Sequence, residues 1–145
     1  MSTKFPLKYE VTAAAAPGIM TPWQTQVDAL TPIDCAIPPE FSGPGGAYSP
    51  EDLFAMSILN CMVALFKFLC DKKKVSFKEI KSKATLSVDK NAETNQIHMN
   101  EIYISFSVSG ASDIGEVKEM LEQAIRDCPI GNSVKTGKSF QISVL

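Results

Sequence analysis

Gly45-Gly46-Ala47-Tyr48-Ser49-Pro50-Glu51-Asp52-Leu53-Phe54 and the apolar run that follows it decide how this chain folds. Ser49 can cap a helix and Pro50 suits the first helical position. Glu51 and Asp52 face the positive end of the helix dipole. The helix is expected to run to about Lys72, with Lys72–Lys74 closing its negative end. Its apolar residues (Leu53, Phe54, Met56, Ile58, Leu59, Met62, Val63, Leu65, Phe66, Phe68, Leu69) go all the way round. A helix with no polar face is buried by protein or by lipid. Ser57, Asn60 and Lys67 break the roughly 20 predominantly apolar residues that a membrane span needs, so protein is the expected cover and no membrane partner is expected.

Toward the N-terminus, Pro32 to Tyr48 is rich in proline and glycine and reads as a loop. Before it, Trp23, Thr25, Val27 and Ala29 alternate with polar residues, as do Phe5, Leu7, Tyr9 and Val11. With the turn signal Pro17-Gly18 between them, the first thirty residues read as a β-hairpin. Toward the C-terminus, Ile80, Ala84, Leu86 and Val88 alternate along one strand. Ile102, Ile104, Phe106 and Val108 do so along the next, across the turn Asn91–Gln96. His98 shares the parity of Ile102 and Phe106. Ser112-Asp113 opens a second helix with the stripe Ile114, Val117, Met120, Leu121, Ala124 and Ile125. Cys128-Pro129 ends it, a short turn runs to Ser133, and Phe140, Ile142 and Val144 form a last strand. The order ββ-α-ββ-α-β describes an α+β fold, taken as a single domain over 1–145. One thin sheet and one further helix give too little cover for a helix apolar on every side. A second copy of the chain, in a homodimer, is the expected remedy.

The 145 residues are 45% hydrophobic and 21% charged, with a net charge of −2, an ordinary globular balance. Without a basic patch beyond Lys72–Lys74, nucleic acid is not an expected partner. Met1 to Ala16 lacks the pattern of a secretory signal, so a cytoplasmic location is expected. There Cys35, Cys61, Cys70 and Cys128 are free thiols or a redox pair before they are structural bridges. One histidine and no CxxC leave no metal-ligand cluster, and neither a metal nor a cofactor is expected. Buried cysteines that only pack are the ordinary alternative to reactive ones. A reactive cysteine needs a positive neighbour, a helix N-terminus or a hydrogen-bond donor. Cys128, ahead of a turn with free N–H groups, has that opportunity.

The segment Gly45–Phe54, followed by Asn60-Cys61, resembles the glycine-rich segment, Ser/Asn-Pro-Glu helix start and first cysteine of the OsmC/Ohr family. Cys128-Pro129-Ile130-Gly131-Asn132-Ser133 resembles that family's second cysteine motif, Cys-Pro-Val/Ile-x-Asn. The resemblance implies an intertwined homodimer with a long buried central helix and sites at the subunit interface. It also implies thiol-dependent reduction of organic hydroperoxides by the pair Cys61 and Cys128, with a dithiol reductant restoring both. The pocket would be apolar, lined by Met56, Met62 and Phe54. Glu51 is either a catalytic carboxylate or a helix cap. At about 1.5 Å per residue it stands some 15 Å along the helix from Cys61, so it meets that sulfur only if the helix bends or if it acts across the dimer. The family's thiolate-stabilising arginine has no counterpart in the N-terminal region. Arg126 is the chain's one arginine, and Lys4 and Lys8 lack its planar fork. That gap keeps open a second role, a non-catalytic protein binding an apolar small molecule at the dimer interface.

Overall fold

In the computed structural model, which describes residues 3–145, the backbone divides into two units meeting between Leu53 and Phe54. The first unit holds an antiparallel sheet of β1 (Thr12–Ala14), β2 (Trp23–Gln26) and β3 (Ile33–Cys35), in that order. Trp23 stands opposite Cys35, and Thr12 opposite Gln26. The hairpin is therefore present but shorter than its alternation suggested. Phe5, Leu7, Tyr9 and Val11 lie outside any strand and are exposed, because alternation forms a strand only where a partner takes up its hydrogen bonds. The expected loop Pro32–Tyr48 instead holds β3, a 3-10 turn at Pro39–Phe41 and a parallel bridge between Cys35 and Tyr48. Two apolar positions, Ile33 and Cys35, are too few to announce a strand. Pairing with β2 makes one.

Helix α1 (Pro50–Lys73) leads into the second unit. Ser49 Oγ accepts from Asp52 N–H at 3.0 Å while Asp52 Oδ2 accepts from Ser49 N–H at 3.0 Å, a reciprocal cap that satisfies two otherwise unpaired donors. At the other end the Val75 N–H reaches the Cys70 carbonyl at 3.0 Å and the Lys74 N–H reaches that of Asp71 at 3.2 Å. That closure needs a left-handed residue, which here is Lys74 at φ 61°. Within its own chain α1 buries only Ile58, Met62, Phe66 and Cys70, one face at i, i+4 spacing. By length and composition the helix is apolar enough to cross a membrane.

The second sheet runs β4 (Glu79–Lys90), β5 (Ile97–Ser109), β6 (Gly137–Val144), with β4 and β5 antiparallel and β5 and β6 parallel. Helix α2 (Ile114–Asp127) makes the crossover that parallel neighbours require. Ile102, Ile104, Phe106 and Val108 of β5 are buried, and Ile80, Ala84, Leu86, Phe140, Ile142 and Val144 pack beside them. The opposite face carries Lys81, Lys83, Ser105, Ser107 and Gln141. Val117, Met120, Leu121 and Ala124 bury the apolar stripe of α2, whereas Ile114 stays exposed in its first turn. Asp113 caps this helix, accepting from Glu116 N–H at 2.8 Å.

His98 departs from its expected parity. The β4–β5 register slips between Ser87 and Val88, so Glu101 pairs with Ser87 but Met99 with Val88, leaving Asn100 unmatched. One extra residue turns every later side chain to the other face. The parity counted from Ile102 therefore does not carry to His98; His98 and Met99 are both half-buried, and His98 Nδ1 is buried with no hydrogen-bond partner among the described residues.

Candidate active site

Helix α2 must stop at Cys128. A residue ahead of proline is pushed out of the helical region, and Cys128 sits at φ −60°, ψ 113° as the C-cap. The chain then makes a tight turn, Pro129 and Ile130 leading into a 3-10 segment at Gly131–Ser133. Asn132 N–H reaches the Cys128 carbonyl at 2.9 Å, and Ser133 N–H reaches that of Ile130 at 3.0 Å. Gly131 N–H points back at Cys128 Sγ, 3.3 Å away. A side chain on Gly131 would meet Met62 Cε at 3.2 Å and Cys128 Sγ at 3.4 Å, so even a methyl group there would require the end of Met62 to shift by a few tenths of an ångström.

Cys61 comes to the same place from the middle of α1. Its side chain lies near enough to the Cys128 thiol to raise it, although the two stand 67 positions apart along the chain. Both are free thiols; Cys128 is fully buried and Cys61 half-buried. Burial pushes Cys128 up from its ordinary 9.0 to about 11. The hydrogen bond with Cys61 and its charge act in the same direction, against the lowering influence of the Gly131 and Ile130 amides. At neutral pH Cys128 is accordingly a protonated thiol. Met62, next in sequence to Cys61, is buried against this turn.

The other expected site residues are placed differently. Glu51 takes no part in the cap of α1, which Ser49 and Asp52 complete between them. Its Oε2 is buried with no hydrogen-bond partner among the described residues. Since α1 is continuous from Pro50 to Lys73, ten residues of helix hold Glu51 about 15 Å from its own Cys61. Of the residues expected to line an apolar pocket, Met62 is buried, Phe54 half-buried and Met56 exposed within the single chain. Arg126 is exposed, and its contribution near Cys128 is its backbone carbonyl, which accepts from Asn132 Nδ2 at 3.0 Å. Among the described residues, no cation acts on the Cys128 thiol. Residue types alone did not mark Gly131 as a donor to sulfur, though a glycine three positions past a pre-proline cysteine is the signal that carries it. Cys35 and Cys70 are buried elsewhere. Cys35 donates to Thr25 Oγ1 at 3.5 Å, and burial raises the Cys70 thiol.

A model of the family described as OsmC-like protein matches residues 43–143. The fold is also similar to three solved structures. One is an OsmC-like protein of unknown function from Vibrio cholerae (16% identity, TM-score 0.81, covering 94% of this chain and 99% of that one). The second is an organic hydroperoxide resistance protein OsmC from Legionella pneumophila (22%, TM-score 0.70, 97% and 98%). The third is the organic hydroperoxide resistance protein OhrB of Bacillus subtilis (14%, TM-score 0.68, 96% and 98%). No curated protein matches by sequence.

Proposed function

We propose, from the premise that the chain belongs to the OsmC-like protein family, that it reduces organic hydroperoxides by cycling Cys61 and Cys128 between dithiol and disulfide. The Cys61 thiolate attacks the distal oxygen of ROOH. The O–O bond breaks, the alcohol ROH leaves with a proton, and Cys61 becomes a sulfenic acid. The Cys128 thiol then attacks that sulfur, water departs, and the two sulfurs are joined. A dithiol reductant attacks the disulfide, leaves as its own disulfide and restores both thiols. One observation carries this reading: two cysteines remote in sequence meet side by side, one of them dry. The buried apolar residues around Cys128, Met62 among them, favour an organic over a polar peroxide.

The active form is a homodimer in the cytoplasm. Phe5, Leu7, Tyr9, Met56 and Phe68 leave apolar surface exposed that a second copy would cover. Glu51 serves the Cys61 of the other copy, since its own lies too far along α1. The chain acts as one domain in that assembly, on a hydroperoxide and a dithiol. The second reading, an apolar small molecule held at the dimer interface without catalysis, draws on Cys128, whose thiol is raised with no cation among the described residues to oppose the shift.

The two separate on one experiment. Reduced protein is given one equivalent of cumene hydroperoxide and its disulfides are mapped by mass spectrometry. Stoichiometric Cys61–Cys128 linkage with release of the alcohol is the expected result. Cys128→Ser should stop at a sulfenic acid on Cys61 that dimedone traps, and Cys61→Ser should not react. Persistence of both free thiols would overturn the enzyme in favour of the binding protein.

A further inference from the structure

The turn after Cys128 carries two side chains that the dithiol chemistry does not use. Asn132 Nδ2 donates to the Arg126 carbonyl at 3.0 Å, and Ser133 Oγ donates to the Pro129 carbonyl at 2.7 Å. Arg126 lies in the last turn of α2, where carbonyls have no partner within the helix. Pro129 has no N–H with which to continue the helix. Thus one side chain ties the turn back to the helix end and the other ties its last residue to its first. Between the two ties lies Gly131, whose amide meets Cys128 Sγ at 3.3 Å and whose missing side chain leaves space for Met62.

We propose that Asn132 and Ser133 are positioning residues, a clasp that keeps Cys128 dry and aimed at Cys61. Neither touches a sulfur, so each acts through the backbone of the turn. Without the clasp the turn opens more often, Gly131 N–H leaves the sulfur, and Cys128 reaches solvent instead of Cys61. The purpose of the clasp rests on the dithiol reading above, but its existence can be tested without a hydroperoxide.

The test uses the reduced full-length chain as Asn132→Asp, as Ser133→Ala and as both. Aspartate keeps the size of asparagine but cannot donate to the Arg126 carbonyl. Each cysteine's rate of alkylation by iodoacetamide is read by mass spectrometry. Loss of one surface hydrogen bond should speed alkylation of Cys128 about three- to tenfold, and the double variant should approach the product of the two. Cys35 and Cys70, buried outside the turn, should keep their slow rates. A parallel measurement adds diamide, which takes two electrons and two protons from the thiol pair and becomes the hydrazine. Formation of the Cys61–Cys128 disulfide should slow as Cys128 alkylation rises. Unchanged Cys128 rates, or equal acceleration at all three buried cysteines, would overturn the clasp, the second by showing general loosening. Faster alkylation with undiminished disulfide formation would overturn the aiming. If the wild type ignores hydroperoxide while these patterns hold, the dithiol reading fails and the clasp stands.

Discussion

At the scale of the residue, Cys128 is a thiol that folding makes harder to ionise. An unfolded cysteine titrates near 9.0 and the native one at about 11. Between those values the unfolded chain has released a proton that the native chain still holds. Stability therefore falls as pH rises through this window, and it is whole below it. Each unit of separation corresponds to about 1.4 kcal/mol, so the loss should be on the order of 1–3 kcal/mol. Urea midpoints of the wild type and of Cys128→Ser, at about pH 8 and again near pH 10.5, measure it by difference. The wild type should lose more between the two than the variant; parallel losses would mean that other groups carry the alkaline instability. The same proton bears on chemistry. A resolving thiol that is neutral at pH 7 must lose its proton during attack on the Cys61 sulfenic acid, so the second step of the proposed cycle should speed up with pH.

At the scale of the element, the chain was legible where a pattern is long and failed where a partner decides. The Ser49–Asp52 start, the 24-residue span of α1 and the stripe of α2 follow from capping and periodicity, which are local. So do β4, β5 and β6, whose alternation extends over eight residues or more. The strand β3 and the frayed Phe5–Val11 segment depend on which strand is free to pair, and no residue states that. The parity count to His98 broke down because one unmatched residue, Asn100, was invisible to it. Of the candidate site, the two cysteines stand in motifs that the sequence displays. The donor Gly131 was not legible, since its role lies in where an amide points. Lys74 offers a direct check on the local logic. It closes α1 in the left-handed region at φ 61°, where a Cβ is strained and glycine is not. Lys74→Gly should stabilise the protein by about 0.5–1 kcal/mol in urea unfolding, despite the added freedom of the unfolded chain. A loss of stability would show that the lysine contributes more through the helix dipole than it costs in backbone strain.

At the scale of the whole molecule, the helix that decided the fold also carries the surface on which the proposed homodimer would form. Opposite the buried face of α1 runs a second stripe at i+4 spacing, Met56, Asn60, Ala64 and Phe68, all exposed within the single chain. Ala64 is the smallest of these, so it is where a second helix would approach most closely. Ala64→Glu would bury an unpaired carboxylate there, at a cost of several kcal/mol, and should turn a dimer into a monomer by light scattering after gel filtration. The proposed homodimer in turn allows the reach of Glu51 to be tested with two broken chains. Glu51→Ala and Cys61→Ser are each expected to be inactive as homodimers. Mixed by refolding together, they form a heterodimer whose sites differ. If Glu51 acts across the dimer, the intact Cys61 of one chain receives the intact Glu51 of the other, and that site works while the second carries both lesions. Heterodimers should then recover about half of the wild-type hydroperoxide turnover per dimer, because each site acts on its own substrate. If Glu51 acts within its own chain, every site in the mixture carries a lesion and mixing restores nothing. The roughly 15 Å of helix between Glu51 and Cys61 favours recovery.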